Sequence, residues 1–197
     1  GHTYRISKSV GGKFDFTRQV SDRHEIKTGI SFRKDDLEER NFTVQYNYNF
    51  TEPTVLPENE SPYHVYYKKE AIQYSAYIQD KMEYNSMIMN LGVRYDAFVP
   101  NDSSISNLVY PGEGKTKANN KIMVSPRVGV SLPITEKGIF HFSYGHFYQM
   151  PTLRNLYRES YFGAGLSPTV GYPDLKPEKT VLYEFGFQQQ FGSLIGM

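Results

Sequence analysis

The sequence predicts an all-β fold: an antiparallel transmembrane β-barrel segment of about seven long strands within a larger barrel. Three observations predict it. Apolar and polar residues alternate with a period of two over most of the chain, which gives half-buried strands with one greasy and one wet face. The alternating runs reach about ten residues or more, above the usual 5–6 of globular strands and in the range of membrane-spanning ones. The connections run short, long, short, long, short, long, so one end of the sheet carries tight turns and the other long loops. A soluble antiparallel sandwich shows the same alternation and is the competing architecture, but it has no reason to sort its loops by length.

The first strand is read from about Tyr4 to Val20, with Phe14 and Phe16 opposite Lys13, Asp15, Thr17 and Gln19. After a polar turn at Ser21–His24, the second strand covers Glu25–Lys34. Its apolar row ends in Ile30 and Phe32, against Lys27, Gly29, Ser31 and Arg33. A polar excursion, Asp35–Glu70, follows and is read as loop, its middle piece FTVQYNYNF alternating enough to extend the hairpin. The third strand is Ala71–Met82. The fourth has the cleanest pattern: Met87, Met89, Leu91, Val93, Tyr95, Ala97 and Val99 form an unbroken row opposite Asn90, Gly92, Arg94 and Asp96. A second long loop, Pro100–Asn120, leads to a strand at Ile122–Leu132, a tight turn at Pro133–Gly138 and a strand from Phe140 to Tyr148. The third long loop is Met150–Lys179, in which LRNLYRES can form a helical turn. The last strand is Val181–Phe191.

Composition narrows the function. The formal net charge is +1 with no basic run, which gives no footing for nucleic acid. The aromatics are 17 Tyr and 13 Phe with no Trp, and Tyr suits an interface that is wet on one side and apolar on the other. No Cys is present, so the chain holds no disulfide and no thiolate metal site. The mean hydropathy of −0.56 resembles that of a soluble protein, but spanning β-strands show lipid only every second residue.

Motifs for chemistry are sparse. PGEGKT at Pro111–Thr116 lacks the upstream Gly of a phosphate loop, with Val109 in its place. His141 and His146 fall on opposite faces of one strand, there is no HExxH, and no nucleophile–base spacing stands out; we expect no metal site, no cofactor and no enzyme activity. The acidic run DDLEER is read as a solvated loop face. In a barrel, Arg94, Asp96, Arg127, Glu184 and Gln188 are expected on the lumen side. Leu91, Val93, Tyr95, Val128, Val130, Phe140, Phe142, Tyr144, Phe185 and Phe187 are expected toward lipid. Arg154, Tyr157, Arg158, Tyr161 and Phe162 in the third long loop are candidate ligand contacts, because Arg and aromatics are common at recognition surfaces.

Residues 71–191 carry a family resemblance. AYIQDK at Ala76–Lys81, NLGVRYD at Asn90–Asp96, SPRVGVSLPI at Ser125–Ile134, FSYGHFYQMP at Phe142–Pro151 and PDLKPEKTVLYEFGFQQQF at Pro173–Phe191 resemble, in this order, the TonB-dependent outer-membrane receptors. The likeness is to the large bacterial families with a regulatory-like domain ahead of the plug; Tyr172 stands where that family usually has Asn. The resemblance implies a barrel of about 22 strands closed by a plug domain. It also implies uptake of a small nutrient, which the motifs do not name, driven through the TonB complex at the bacterial cell outer membrane. On that reading residues 1–197 are a partial barrel domain without the plug or the C-terminal strands, whose partners are outer-membrane lipid, the plug and the remaining strands. A passive porin-like protein and a soluble sandwich binding module are the alternatives.

Overall fold

A computed structural model describes residues 1–46, 52–55, 58, 63–105, 114–158 and 170–192. In chain order the strands are β1 (His2–Ser21), β2 (His24–Phe42), β3 (Gln45–Tyr46), β4 (Pro53–Thr54), β5 (His64–Tyr84), β6 (Met87–Val99), β7 (Ser103–Ile105), β8 (Lys115–Lys117), β9 (Lys121–Thr135), β10 (Gly138–Gln149) and β11 (Glu178–Gln189). One short helix, α1 (Leu153–Tyr157), lies between β10 and β11. The main sheet has seven strands in the order β1-β2-β5-β6-β9-β10-β11, each antiparallel to its neighbours. The small pairs β3–β4 and β7–β8 sit within the long connections. Neighbours in space are neighbours in sequence, which is the arrangement of an up-and-down barrel wall.

The register carries each face across the sheet without slippage over its middle. Ile78, Val93 and Pro126 stand in one row, and Val130, Phe142 and Phe185 in another. These belong to the apolar face. The opposite face carries rows such as Asp15, Gly29, Tyr77, Arg94 and Ser125. Gly29 has a physical reason to be glycine: a Cβ there would lie 2.4 Å from Asp15 Oδ1 and 2.5 Å from Tyr77 Cε1. The Tyr77 ring crosses the vacant position so that its hydroxyl can donate to Asp15 at 2.8 Å.

The buried core lies on the polar face, at the end with the long connections. Leu37, Val65, Tyr67, Ala71, Phe98 and Met123 pack with Leu156 and Tyr157 of α1. The apolar face stays uncovered: Ile78 is 53% exposed, Phe185 69% and Phe187 63%. No second sheet covers it among the described residues, so the sandwich architecture is not the one that forms.

Several strand boundaries differ from the sequence reading, most of all in β2, β5 and β11. The DDLEER segment is strand rather than loop. β2 runs to Phe42 and pairs with β1 and with β5 from His64, so β1, β2 and β5 overshoot the apolar band. Charge pairing replaces greasy contact there, as Lys34 meets Glu70 at 3.1 Å and Asp36 at 3.5 Å, while Asp35, Leu37 and Glu39 turn inward and are buried. β11 starts at Glu178 and ends at Gln189, which leaves Phe191 beyond the strand. The helical turn expected in LRNLYRES is α1.

Candidate functional site

The polar face is laced with ion pairs. Arg94 holds Asp96 through two nitrogens, with Nη2–Oδ1 at 2.7 Å, and Arg33 Nε reaches Asp35 at 3.0 Å. Lys13 pairs with Asp15, Lys27 with Glu25 and Lys81 with Glu83. Toward the long connections, Arg5 pairs with Glu39, Lys69 with Asp102 and Lys121 with Asp174. Asp35 is buried and also accepts from Ser9 at 2.6 Å and Gln73 at 2.9 Å, so its charge is fully solvated by protein.

Among the hollows on this face, two adjoin Arg94 and Arg127. The upper one, of about 580 Å3, lies between the sheet and α1 and is lined by Arg33, Asp35, Arg94, Asp96 and Arg127 together with Phe98, Met123 and Met150. The lower, of about 480 Å3, is floored by Gly92, Gly129 and Gly145 and shares Arg94, Arg127 and Phe147 with the first.

α1 is pinned to the wall by two backbone acceptors, one in β5 and one just beyond β6. The Tyr157 hydroxyl donates to Pro100 O at 2.5 Å and Glu70 O at 3.3 Å, and Leu156 is fully buried. The returning chain closes against it: Gly171 N donates to Arg158 O at 2.6 Å and Tyr172 N to Asn155 O at 3.0 Å. A Cβ at Gly171 would lie 2.5 Å from Arg158 N and 2.7 Å from the Leu156 carbonyl, so only glycine permits this neck. Asp174 then ties the same segment to the foot of β9, accepting from Asn119 N at 3.0 Å, Asn119 Nδ2 at 2.9 Å and Lys121 Nζ.

The electrostatics outside the apolar band follow from these contacts. Burial opposes charge at Glu39, and hydrogen bonds from Arg5 and Asn41 outweigh it, holding the carboxyl at about 2. Burial pushes the Tyr67 phenol well up, with the Glu39 charge adding to it. Burial likewise raises Tyr157, helped by Asp102 and Asp35. The Lys121 ammonium lowers Asp174.

The candidates read from sequence fall as follows. Arg94, Asp96 and Arg127 come together around the hollows. Glu184 accepts from Ser143 at 3.3 Å on the same face, and Gln188 lies further along that row set. Leu91, Val93 and Tyr95 share the opposite face with Val128, Val130, Phe140, Phe142, Tyr144, Phe185 and Phe187. On it Tyr144 meets Tyr183, and Phe142 meets Phe185, at centroid distances of 5.0 and 5.1 Å. Among the loop candidates, Arg154 is exposed and Arg158 half-buried, whereas Tyr157 is buried with its hydroxyl engaged and serves as the anchor of the loop. Tyr161 and Phe162, like Pro111–Glu113 of the PGEGKT stretch, lie outside the described residues. Sequence reasoning missed Asp35, Glu39, Lys121 and Asp174. For the first two, the alternation continuing through DDLEERNF was the available signal.

Comparison with known proteins agrees on one architecture. A family model described as TonB dependent receptor-like, beta-barrel matches residues 1–196. TonB-dependent heme receptor A of Haemophilus ducreyi (strain 35000HP / ATCC 700724) is 23% identical over 156 residues, which is 77% of this chain and 20% of that receptor. Among solved structures, the copper transporter OprC matches with a TM-score of 0.65 and 16% identity, over 96% of this chain and 29% of that one. The chain thus spans a fifth of the curated relative's length, and the solved structure speaks for the fold.

Proposed function

The chain belongs to the TonB dependent receptor-like β-barrel family, and on that footing we propose that it forms an arc of the wall of an outer-membrane active transporter. The apolar face meets lipid. The polar face lines the lumen and holds the domain that plugs it. The long connections stand outside the cell and gather a small nutrient, whose passage is driven through TonB.

The observation that carries this reading is the uncovered apolar face with a bounded height. On β6 the row from Met87 to Val99 covers 13 residues. At about 3.4 Å per residue and a tilt of about 45° it rises about 29 Å, the thickness of a hydrocarbon core. Beyond it, β2 turns to Asp36, Glu38 and Arg40 on the same face, a change that water favours and lipid forbids. The anchored stem of α1 supports the capture role, since Leu156 and Tyr157 fix the start of the third loop against the polar face. A passive pore would place the same wall in lipid but would transport without energy. The deciding experiment is nutrient-limited growth of cells carrying the intact protein, with and without a functional TonB complex. Uptake that persists undiminished without TonB overturns the active-transport reading.

A further inference from the structure

Nine cations on the seven main strands point to the polar face, and eight of them have the carboxylate partners given above. Arg127 is the exception: among the described residues it has no ion pair and no side-chain hydrogen bond. Its guanidinium instead lies over the Phe147 ring, 4.9 Å from the centroid. A guanidinium held over a ring by this cation–π attraction makes no hydrogen bond to it, so its N–H groups stay available to an acceptor.

The surroundings keep that fork accessible. In the cross-strand row Arg127 stands between Gly92 and Gly145, so no neighbouring side chain shields it. A Cβ on Gly145 would lie 3.0 Å from the Phe147 ring, so the glycine leaves room for the ring beside the arginine. Arg127 also sits where the two hollows meet. The upper hollow counts three arginines against two aspartates, and those aspartates are held by Arg33 and Arg94, so one positive charge is left over. Its remaining wall is mixed: Ser9, Gln73, Ser125 and Gln149 lie around the sheet side, while Met150 and Leu153 form an apolar edge at the start of α1. At about 580 Å3 it has the size of a small-molecule pocket.

We propose that this hollow binds a small carboxylate with an apolar body, the carboxylate gripped by the Arg127 fork and the body lying on Met150 and Leu153 at the start of α1. The proposal rests on the wall-and-capture reading and adds the chemical class of the cargo. Arg is the side chain suited to it, because a planar fork matches a carboxylate with two parallel hydrogen bonds.

The test uses the intact receptor purified in detergent, with 4-phenylbutyrate as probe and the neutral 4-phenylbutyramide as its control, by calorimetric titration. The acid binds the wild-type protein and weakens with added salt. Arg127→Gln loses about tenfold or more in affinity for the acid, as expected for a charge-assisted bidentate contact. Arg127→Lys falls between the two, and the amide binds weakly to all three. Equal binding of acid and amide, or wild-type affinity in Arg127→Gln, overturns the proposal. So does failure of the acid to bind at all, which would mean that a carboxylate of the protein itself already fills the fork. Both variants are also checked for heat-modifiable migration after insertion into vesicles. Loss of insertion in the wild type counts against the wall reading, whereas normal insertion without acid binding counts against the cargo class alone.

Discussion

Glu39 is the residue at which the overhanging strand ends are most exposed to a test. Its side chain is 1% exposed and Arg5 Nε donates to it at 2.7 Å, with Asn41 Nδ2 at 3.0 Å. The folded carboxyl is held down at about 2, against the 4.5 of an ordinary glutamate. That difference corresponds to roughly 3 kcal/mol of preference for the charged form. Arg5 is 40% exposed, so solvent screening trims the stabilisation to about 2 kcal/mol. Because the folded value is depressed, the stabilisation is whole above pH 4.5 and fades as the pH falls toward 2. Glu39→Gln should therefore destabilise the β1–β2 overhang by about 2 kcal/mol at pH 7 and lose the pH dependence in that window. The assay is urea unfolding of the vesicle-inserted protein at pH 7, 4 and 2.5, followed by a probe attached near Tyr4 at the overhang. Equal stability of wild type and variant at pH 7, with the same slope down to pH 2.5, would show that the pair contributes nothing.

Other positions give independent tests. Gly171→Ala pushes a methyl into the Arg158 amide and should open the neck of the third loop, read as faster protease cleavage between β10 and β11 with the main sheet intact. Tyr157→Phe leaves the Pro100 and Glu70 carbonyls without their donor and should cost about 1–2 kcal/mol of loop-stem stability by hydrogen exchange. Asp174→Ala removes the partner of buried Lys121 and should loosen β9 at Asn119, where wild-type exchange rates would contradict the clamp. Val93→Arg puts a charge at the centre of the β6 apolar row and should cost about 2–4 kcal/mol in vesicles, against a smaller cost for Gly92→Ser on the other face, where the added Cβ meets the Ile78 carbonyl at 3.3 Å.

The strands with unbroken alternation were legible in the sequence. β6 needed only its row of Met87 to Val99, because lipid and lumen ask for opposite chemistry at successive residues. β2 beyond Lys34 was not, because both its faces are charged once it leaves the apolar band; the alternation there is between buried and exposed charge rather than between greasy and polar. Arg94, Asp96 and Arg127 were legible as members of one face, but the hollow they share depends on how β2, β6, β9 and α1 come together. Tyr157 looked like a surface aromatic, since its partners, Glu70 and Pro100, are remote in sequence and offer only backbone oxygens. Asp174 sits in a Pro-rich segment with no period at all, and its role appears only when Asn119 and Lys121 are beside it.

Odd positions of β6 face lipid and even positions face water if the strand is part of a barrel wall. These 197 residues hold no cysteine, so single cysteines introduced at positions 89 to 97 can each carry a spin label at a chosen site of the wall. In vesicles, labels at Met89, Leu91, Val93, Tyr95 and Ala97 should collide freely with oxygen. Labels at Asn90, Gly92, Arg94 and Asp96 should collide instead with a polar nickel complex. A clean period of two supports a wall between lipid and lumen. Labels that show no period, or a folded monodisperse protein in plain buffer with the odd positions shielded from both probes, would contradict it.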